Sequence, residues 1–427
     1  MQLVLEMTWE DQQPPQKKTR KCLWARFFED TMKFLFLLHI NLCKNGPSVH
    51  ILTDILLFAL KKNIYIDVIC RGNKNDYDKL NSTIFNNRIN FIPVPEKKVK
   101  KTRLFKRYLE EIRYARQTYN IYKKQNYDTV FLQSCSASYF FVKRLKKLNC
   151  PIVFNVQDIF PNNLFSLQRS KVKRVLLGPF RIIQKKGFLN STKIITISDD
   201  MKETLCKIGV NSEKISVIYN WSYGDDQINQ NVCQLFSTSK TNYNVVYAGN
   251  IGMMQNVEIV LKAASILEYR KNIHFYIIGD GVAKNRLISL YSNKNNVSFF
   301  PNQPQSIAES LYGSADLNVV PLMRGIIKTA LPSKTATCLR SPSPVIFCID
   351  EDSLFANLVK SDNNVYISSP DNENELANLI LKIFGKQNDN SERRLVKECM
   401  SSVLNPKKYV EEMEFLAIHN SLQAKEH

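Results

Sequence analysis

From Met32 onward, short runs of apolar residues alternate with longer stretches whose apolar positions recur at helical spacing. The first series of runs is FLFLLHI (34–40), YIDVIC (65–70), INFIPV (89–94), TVFLQS (129–134), IVFNVQ (152–157), KIITIS (193–198) and ISVIYN (215–220). The second is NVVYAG (244–249), HFYIIG (274–279), VSFF (297–300), LNVVPL (317–322), PVIFCI (344–349) and NVYISS (364–369). Runs this short and this rich in Val, Ile and Phe read as buried strands. Helices lie between most of them; Val257, Val260, Leu261, Ala264 and Leu267 form the apolar stripe of one. Such alternation predicts βαβ units and parallel sheets, the α/β class.

Between the two series lies GDDQINQNVCQLFSTSKTN (224–242), which is polar and has no strong period. It reads as an interdomain linker. The expected organisation is two doubly wound domains in tandem, 32–223 and 243–405, facing a central cleft. A C-terminal helix, 406–427, is expected to pack back on the first domain. Residues 1–31 are polar, contain proline and lack periodicity, so they read as a disordered or non-native extension before a domain start at Met32-Lys33.

The chain has 427 residues, enough for two domains, and 44% hydrophobic with 23% charged residues is ordinary for a globular protein. Its formal charge of +20 is not ordinary and predicts attraction to an anionic surface or a phosphate-rich substrate. The ten cysteines include no Cys-x-x-Cys pair, a pattern of reduced thiols in a cytoplasmic protein and not of a metal knuckle or disulfide framework. Sequons at Asn81, Asn190, Asn220 and Asn296 would go unused there. No run is long enough to span a bilayer. MKFLFLLHINL (32–42) has the look of a signal segment, but no small-residue cleavage site follows, and it is read as the first buried strand.

The chemistry gathers in the second half. In VVYAGNIGMMQNVEIVLKAASIL (245–267) a strand runs through Gly249 and Gly252 onto a helix start, where backbone can approach an anion closely. Glycines in βα turns are also common for steric reasons alone. FYIIGDGVAKNRL (275–287) repeats the device with Gly279-Asp280-Gly281, and VSFFPNQPQSIAESLYGSADLNVVPL (297–322) and RGIIKTALPSKTATCLRSPSPVIFCID (324–350) follow. That ordered series resembles the C-terminal domain of GT-B-fold glycosyltransferases of family 4, in the fucosaminyltransferase-like, capsular and exopolysaccharide branch. In the first half, the Gly-Pro loop after the opening strand, PIVFNVQDIFPNN (151–163) and KIITISDDMKETLCKIGVNSEKISVIYNW (193–221) resemble the same family.

The resemblance implies two Rossmann-like domains, a nucleotide-diphosphate sugar held by the second and an acceptor by the first. It places Gly249, Asn250, Gly252, Gln255 and Gly281 at the diphosphate and the Phe299-Phe300-Pro301 loop beside the nucleobase. Ser333 is expected to cap the helix that faces the sugar or phosphate, and Gly46 and Pro47 to close over the donor. Departures stand out. The family's basic pair falls on Asn250 and Gln255, leaving Arg324, Lys328 and Lys334 to supply charge. Its paired glutamates fall on Thr329 and Thr337, and Pro342 replaces a turn glycine. Retention follows from the resemblance alone, and no metal or cofactor is expected.

For catalysis or acceptor contact the candidates are Asp158, His50 and Ser134, with Asn155 nearby; His50 also reads as a helix-face residue and Asp158 as a turn-former. The basic stretches 97–125 and 169–188 interleave Lys and Arg with apolar residues, as a solvated helix face or as an anionic membrane contact would. The expected protein is therefore a cytoplasmic enzyme, peripheral on the inner face of the cell membrane, acting on a lipid-linked or saccharide acceptor. Three alternatives stay open. An epimerase would want cleft carboxylates and histidines, and the chain has five His. A nucleic-acid binder lacks zinc-binding spacing and an RNA-recognition signature, so no nucleic-acid partner is expected. A non-catalytic partner subunit is consistent with Thr329 and Thr337.

Overall fold

The computed structural model describes residues 31–44, 46, 48–96, 99, 104–162, 171–222, 243–385 and 393–426. Residues 1–30, Pro47 and the expected linker 224–242 lie outside the described residues.

All thirteen apolar runs hold strands. The first sheet contains β1 (Lys33–Leu37), β2 (Tyr65–Arg71), β3 (Asn90–Val94), β4 (Thr129–Gln133), β5 (Ile152–Val156), β6 (Lys193–Thr196) and β7 (Ile215–Val217). The second contains β8 (Tyr243–Ala248), β9 (Ile273–Ile278), β10 (Val297–Phe300), β11 (Leu317–Pro321), β12 (Val345–Cys348) and β13 (Val365–Ser368). The runs around β1 and β7 were expected to extend three residues further. Leu38, Ile218 and Tyr219 are still buried, but beyond the paired ladder, so their apolarity marks core and not strand.

Both sheets are parallel throughout, in the orders β3-β2-β1-β4-β5-β6-β7 and β10-β9-β8-β11-β12-β13. Each order reverses once, between β1 and β4 and between β8 and β11. At such reversals successive crossovers leave in opposite directions and open a crevice at the carboxyl ends of the strands.

The helices that cover the first sheet are α1 (Val49–Lys61), α2 (Lys74–Ile84), α3 (Leu104–Tyr122), α4 (Ser138–Leu145), α5 (Lys171–Asn190) and α6 (Asp199–Ile208). Around the second lie α7 (Val257–Ile266), α8 (Lys284–Tyr291), α9 (Gln305–Ser314), α10 (Lys334–Arg340), α11 (Leu354–Val359), α12 (Glu373–Phe384) and α13 (Arg394–Cys399). The last helix, α14 (Leu404–Glu426), returns to the first domain. Tyr409, Val410, Met413 and Ala417, spaced to share one helical face, are buried with Phe34, Ile51, Phe131 and Trp221.

The strand period of two splits the first sheet's residues between two cores. Phe34, Phe36, Val68 and Phe131 enter one; Leu35, Leu37, Ile69 and Leu132 enter the other. The latter core runs on into the second domain through Val320, Ile326, Ile327, Leu331 and Phe355. Polar contacts reinforce that junction. Ile159 N–H donates to Thr329 O at 2.9 Å, and the Thr204 hydroxyl donates to Lys328 O at 2.6 Å. Asp200 accepts from Leu354 and Phe355 N–H at 2.9 and 2.7 Å, satisfying the free amides at the start of α11. These contacts set the loops after β5 and β11 against each other.

Candidate functional site

At the carboxyl end of β8 the chain turns at Gly249 with φ of 135°. Gly249 N–H donates to Ile278 O and Ile251 N–H to Asp280 O, both at 2.8 Å, so the loops after β8 and β9 run edge to edge. The approach leaves no room for a side chain. At Gly279, φ is 149° and a Cβ would overlap the Gly249 carbonyl oxygen, which is why both turns need glycine.

Lys334, the first residue of α10, reaches this turn. Its Nζ stands 3.7 Å from the centroid of the Tyr247 ring, and a Cβ at Gly249 would come within 2.8 Å of it. The amine is buried and hydrogen-bonds to no described residue. Burial lowers its pKa to about 7, against a small opposing effect of Cys338. A buried amine without a counterion is costly in its charged form, and an anionic ligand at the turn would relieve that cost.

Asn250 and Gln255, at the positions of the family's basic pair, meet each other. Asn250 Nδ2 donates to Gln255 Oε1 at 3.2 Å across Gly252, where a Cβ would strike both side chains. Gly281 lies against Asn250 Oδ1 and the Ile251 carbonyl. The loop thus carries two neutral amides, and its cation comes from another element.

The remaining basic candidates have carboxylate partners. Arg324 pairs with Asp371 at 2.5 Å and stands 3.7 Å from Asp350; Lys328 pairs with Asp352 at 3.0 Å. Asp350 also accepts from Gly325 N–H at 2.7 Å and so fixes the loop after β11. The capping role expected of Ser333 does not hold. Ser333 is already helical (φ −58°, ψ −29°) and makes no side-chain cap bond, because a capping side chain needs an extended backbone to fold back.

Thr329 is buried, its hydroxyl donates to Ile326 O and its carbonyl is used in the domain junction, so it stands as a structural residue. Thr337 is half-buried on α10, one turn beyond Lys334. Phe300 stacks on Tyr276 at 6.0 Å, and Pro301 is exposed beyond it. The turn after α10, where Pro342 replaces glycine, is held by Arg393. Its guanidinium donates to the carbonyls of Cys338 (3.1 Å), Leu339 (2.5 Å), Ser341 (2.6 Å), Ser343 (2.7 Å) and Asn363 (2.9 Å).

On the first-domain side, Asp158 pairs with Ala330 in an isolated antiparallel bridge. Asp158 is exposed, and desolvation by the protein around it raises its carboxyl pKa to about 7. Ser134, after β4, accepts from Gln157 N–H at 3.2 Å. Asn155 is buried and accepts from Gln157 Nε2 and the Tyr409 hydroxyl. His50 is buried in α1 with Nε2 2.8 Å from Trp221 O, so it ties that helix to the chain after β7. Gly46 is half-buried just before α1. Asp158 and Thr329 are therefore brought together at the junction of the two domains, and Lys334 stands at the Gly249 turn.

Three participants escaped sequence reasoning. Tyr247 reads as an ordinary strand aromatic, Asp350 as a strand-end acid, and Arg393 as a charge in a polar stretch. Only the alternation that puts Tyr247 at a strand's carboxyl end gave a hint. Among the described residues no group of three or more His, Cys, Asp or Glu is placed to hold a metal.

Against known proteins, the model of the family described as Glycosyltransferase Family 4 matches residues 48–221, and that of Glycosyl transferases group 1 matches residues 236–399. A candidate colanic acid biosynthesis glycosyl transferase of Escherichia coli (strain K12), WcaI, is 30% identical over 167 residues. That match covers 36% of this chain and 40% of the relative, less than half its length. The Anabaena protein Alr3699/HepE, solved with UDP and glucose, superposes with a TM-score of 0.62 at 15% identity, over 90% of this chain and 99% of its own. WaaG, a glycosyltransferase involved in lipopolysaccharide biosynthesis, gives a TM-score of 0.58 at 13% identity, over 89% and 95%.

Proposed function

The chain belongs to the family 4 glycosyltransferases of the GT-B fold, and from that premise we propose that it transfers a hexose or amino-sugar from a nucleotide-diphosphate sugar to a lipid-linked or saccharide acceptor. The proposed setting is cell-surface polysaccharide biosynthesis; the Escherichia coli relative is named for colanic acid biosynthesis. The observation that carries the reading is the unpartnered Lys334 amine against Gly249. A diphosphate on the Gly249–Gly252 turn would meet this one cation, since the Gly249 and Ile251 N–H groups are already committed to Ile278 O and Asp280 O. Because the leaving group is a diphosphate, stabilising its charge and holding the reactants in line is the chief catalytic demand. Retention of configuration is part of the proposal and needs no dedicated protein nucleophile.

Asp158 is proposed as the acceptor contact, reaching into the junction from the first domain. The UDP in the Anabaena structure makes UDP-sugars the first donors to try. The test is a thermal-shift and calorimetric screen with UDP, GDP and a panel of nucleotide sugars. Stabilisation by a nucleoside diphosphate and not by an oligonucleotide is expected; the reverse sinks the transferase.

The same enzyme is proposed to work on the inner face of the cell membrane. Phe105 and Leu109 on α3, and Ile182 and Leu189 on α5, are exposed among Lys and Arg, and apolar residues in a basic setting suit anionic lipid. No described helix is long and apolar enough to cross a membrane. Sedimentation with anionic vesicles that salt abolishes is expected, and indifference to lipid charge rules the contact out.

A second reading, a non-catalytic partner subunit, is favoured by Thr329, whose hydroxyl is already used inside the protein. It would bind nucleotide but release no sugar from any donor.

A further inference from the structure

The first sheet has its own reversal, between β1 and β4, and the crevice there is lined by residues that the donor site does not use. His39 follows β1, Arg71 ends β2, and Ser136 and Ala137 follow β4. Glu111 and Arg107, one turn apart on α3, complete the group.

Glu111 is committed to the crevice wall. It accepts from Ser136 Oγ at 2.5 Å and from Ala137 N–H at 2.9 Å. Arg71 is only 9% exposed, and its guanidinium lies 4.0 Å from the centroid of the Tyr114 ring. The Tyr114 hydroxyl is itself anchored to Leu38 O at 2.7 Å, so the arginine rests on a fixed platform. Among the described residues its guanidinium has neither a hydrogen bond nor an ion-pair partner. His39 Nδ1 is likewise buried without a hydrogen-bond partner. Burial holds the His39 pKa below its usual value; Glu111 opposes this, and Arg71 and Arg107 add to it. Arg71 and the His39 ring are thus buried without polar partners, with Arg107 near enough for its charge to act on the ring and Glu111 already occupied.

We propose that this crevice binds a phosphate group of the acceptor, with Arg71 and Arg107 as the charged donors and His39 donating a hydrogen bond from its neutral ring. The inference rests on the transferase reading and specifies its acceptor. Phosphate suits the site better than a carboxylate. Its extra oxygens and second charge can engage both arginines and the imidazole at once, whereas a carboxylate saturates one guanidinium fork.

The experiment titrates inorganic pyrophosphate, farnesyl diphosphate and glucuronate into the full-length protein with saturating UDP present to block the donor site. Calorimetry and the His39 ring proton resonance, assigned by its loss in His39→Gln, report binding. Pyrophosphate should shift the His39 resonance and raise the pH at which it titrates. Arg71→Gln should weaken pyrophosphate tenfold or more while leaving UDP affinity unchanged. Arg107→Gln, at an exposed position that folding tolerates, should weaken it about threefold, a rim charge being worth less. Tighter binding of farnesyl diphosphate than of pyrophosphate identifies a lipid-linked source, and equal binding a soluble phosphosugar. A silent His39 resonance, full affinity in both arginine variants, or preference for glucuronate overturns the proposal. Failure of UDP to bind tests the donor reading alone, because the pyrophosphate response of His39 is read separately.

Discussion

The Lys334 ammonium group sits on the face of the Tyr247 ring, 3.7 Å from its centroid, where the end of β8 meets the start of α10. The pair lies 87 positions apart along the chain. The ring's negative face compensates part of the charge, the burial removes water, and no described residue supplies an anion. That geometry is what supports the proposal that the amine meets an anionic ligand.

Replacing Lys334 by Met should therefore separate binding from folding. UDP affinity should fall about 10- to 100-fold, the range for losing one charge-assisted contact. Melting temperature of the ligand-free protein should hold or rise, since a desolvated amine is gone. Unchanged UDP affinity in calorimetry would remove Lys334 from the site.

The same amine should make binding and stability depend on pH in opposite directions. With its pKa lowered to about 7, the ligand-free amine is neutral at pH 8, while in the unfolded chain it is protonated. Its cost to the folded state is full below pH 7 and fades as pH rises toward the unfolded value. A bound diphosphate restores the charge, so UDP binding at pH 8 should take up a proton and weaken as pH rises further. Calorimetry in two buffers of different ionisation enthalpy measures that uptake, which Lys334→Met should abolish.

Asp158→Asn should lower transfer about tenfold or more if the carboxylate contacts the acceptor, the range of a positioned polar group. The wild-type rate should climb as pH passes about 7, where the carboxyl ionises, and the variant should lose that limb. The raised pKa also means that the protonated form favours folding, a contribution lost as pH rises through 7. Asparagine should flatten that dependence. A pH–rate profile that is identical in both proteins would exclude the role.

Gly279→Ala should destabilise by about 3 kcal/mol or more, because the new methyl group meets the Gly249 carbonyl at a left-handed φ. Chemical denaturation should show it, and tolerance of alanine would mean that the two loops are not in contact.

Arg393→Leu should also destabilise by about 3 kcal/mol, since five carbonyls lose one buried donor group. Arg393→Lys should recover only part of this, an ammonium lacking the planar fork. Equal stability of leucine and lysine variants would show that the charge is irrelevant there.

The apolar runs were enough to find every strand among the described residues and their division between two parallel sheets, because period and burial are properties of neighbouring residues. Gly249, Gly252, Gly279 and Gly281 were legible for the same reason: a strand-end turn advertises itself locally. The mutual hydrogen bond of Asn250 and Gln255, the expenditure of Thr329 on the domain junction and the missing cap at Ser333 were not. Each depends on where a distant or helical backbone places the side chain. Asp158 could be named from its turn, but its raised pKa comes from crowding by protein around it. Sequence alone thus determined which segments form strands and where the chain turns. Which charges meet at those turns was decided by tertiary packing, since Lys334 reaches Gly249, and Arg71 reaches the His39 crevice, only after separate strands and helices have closed around them.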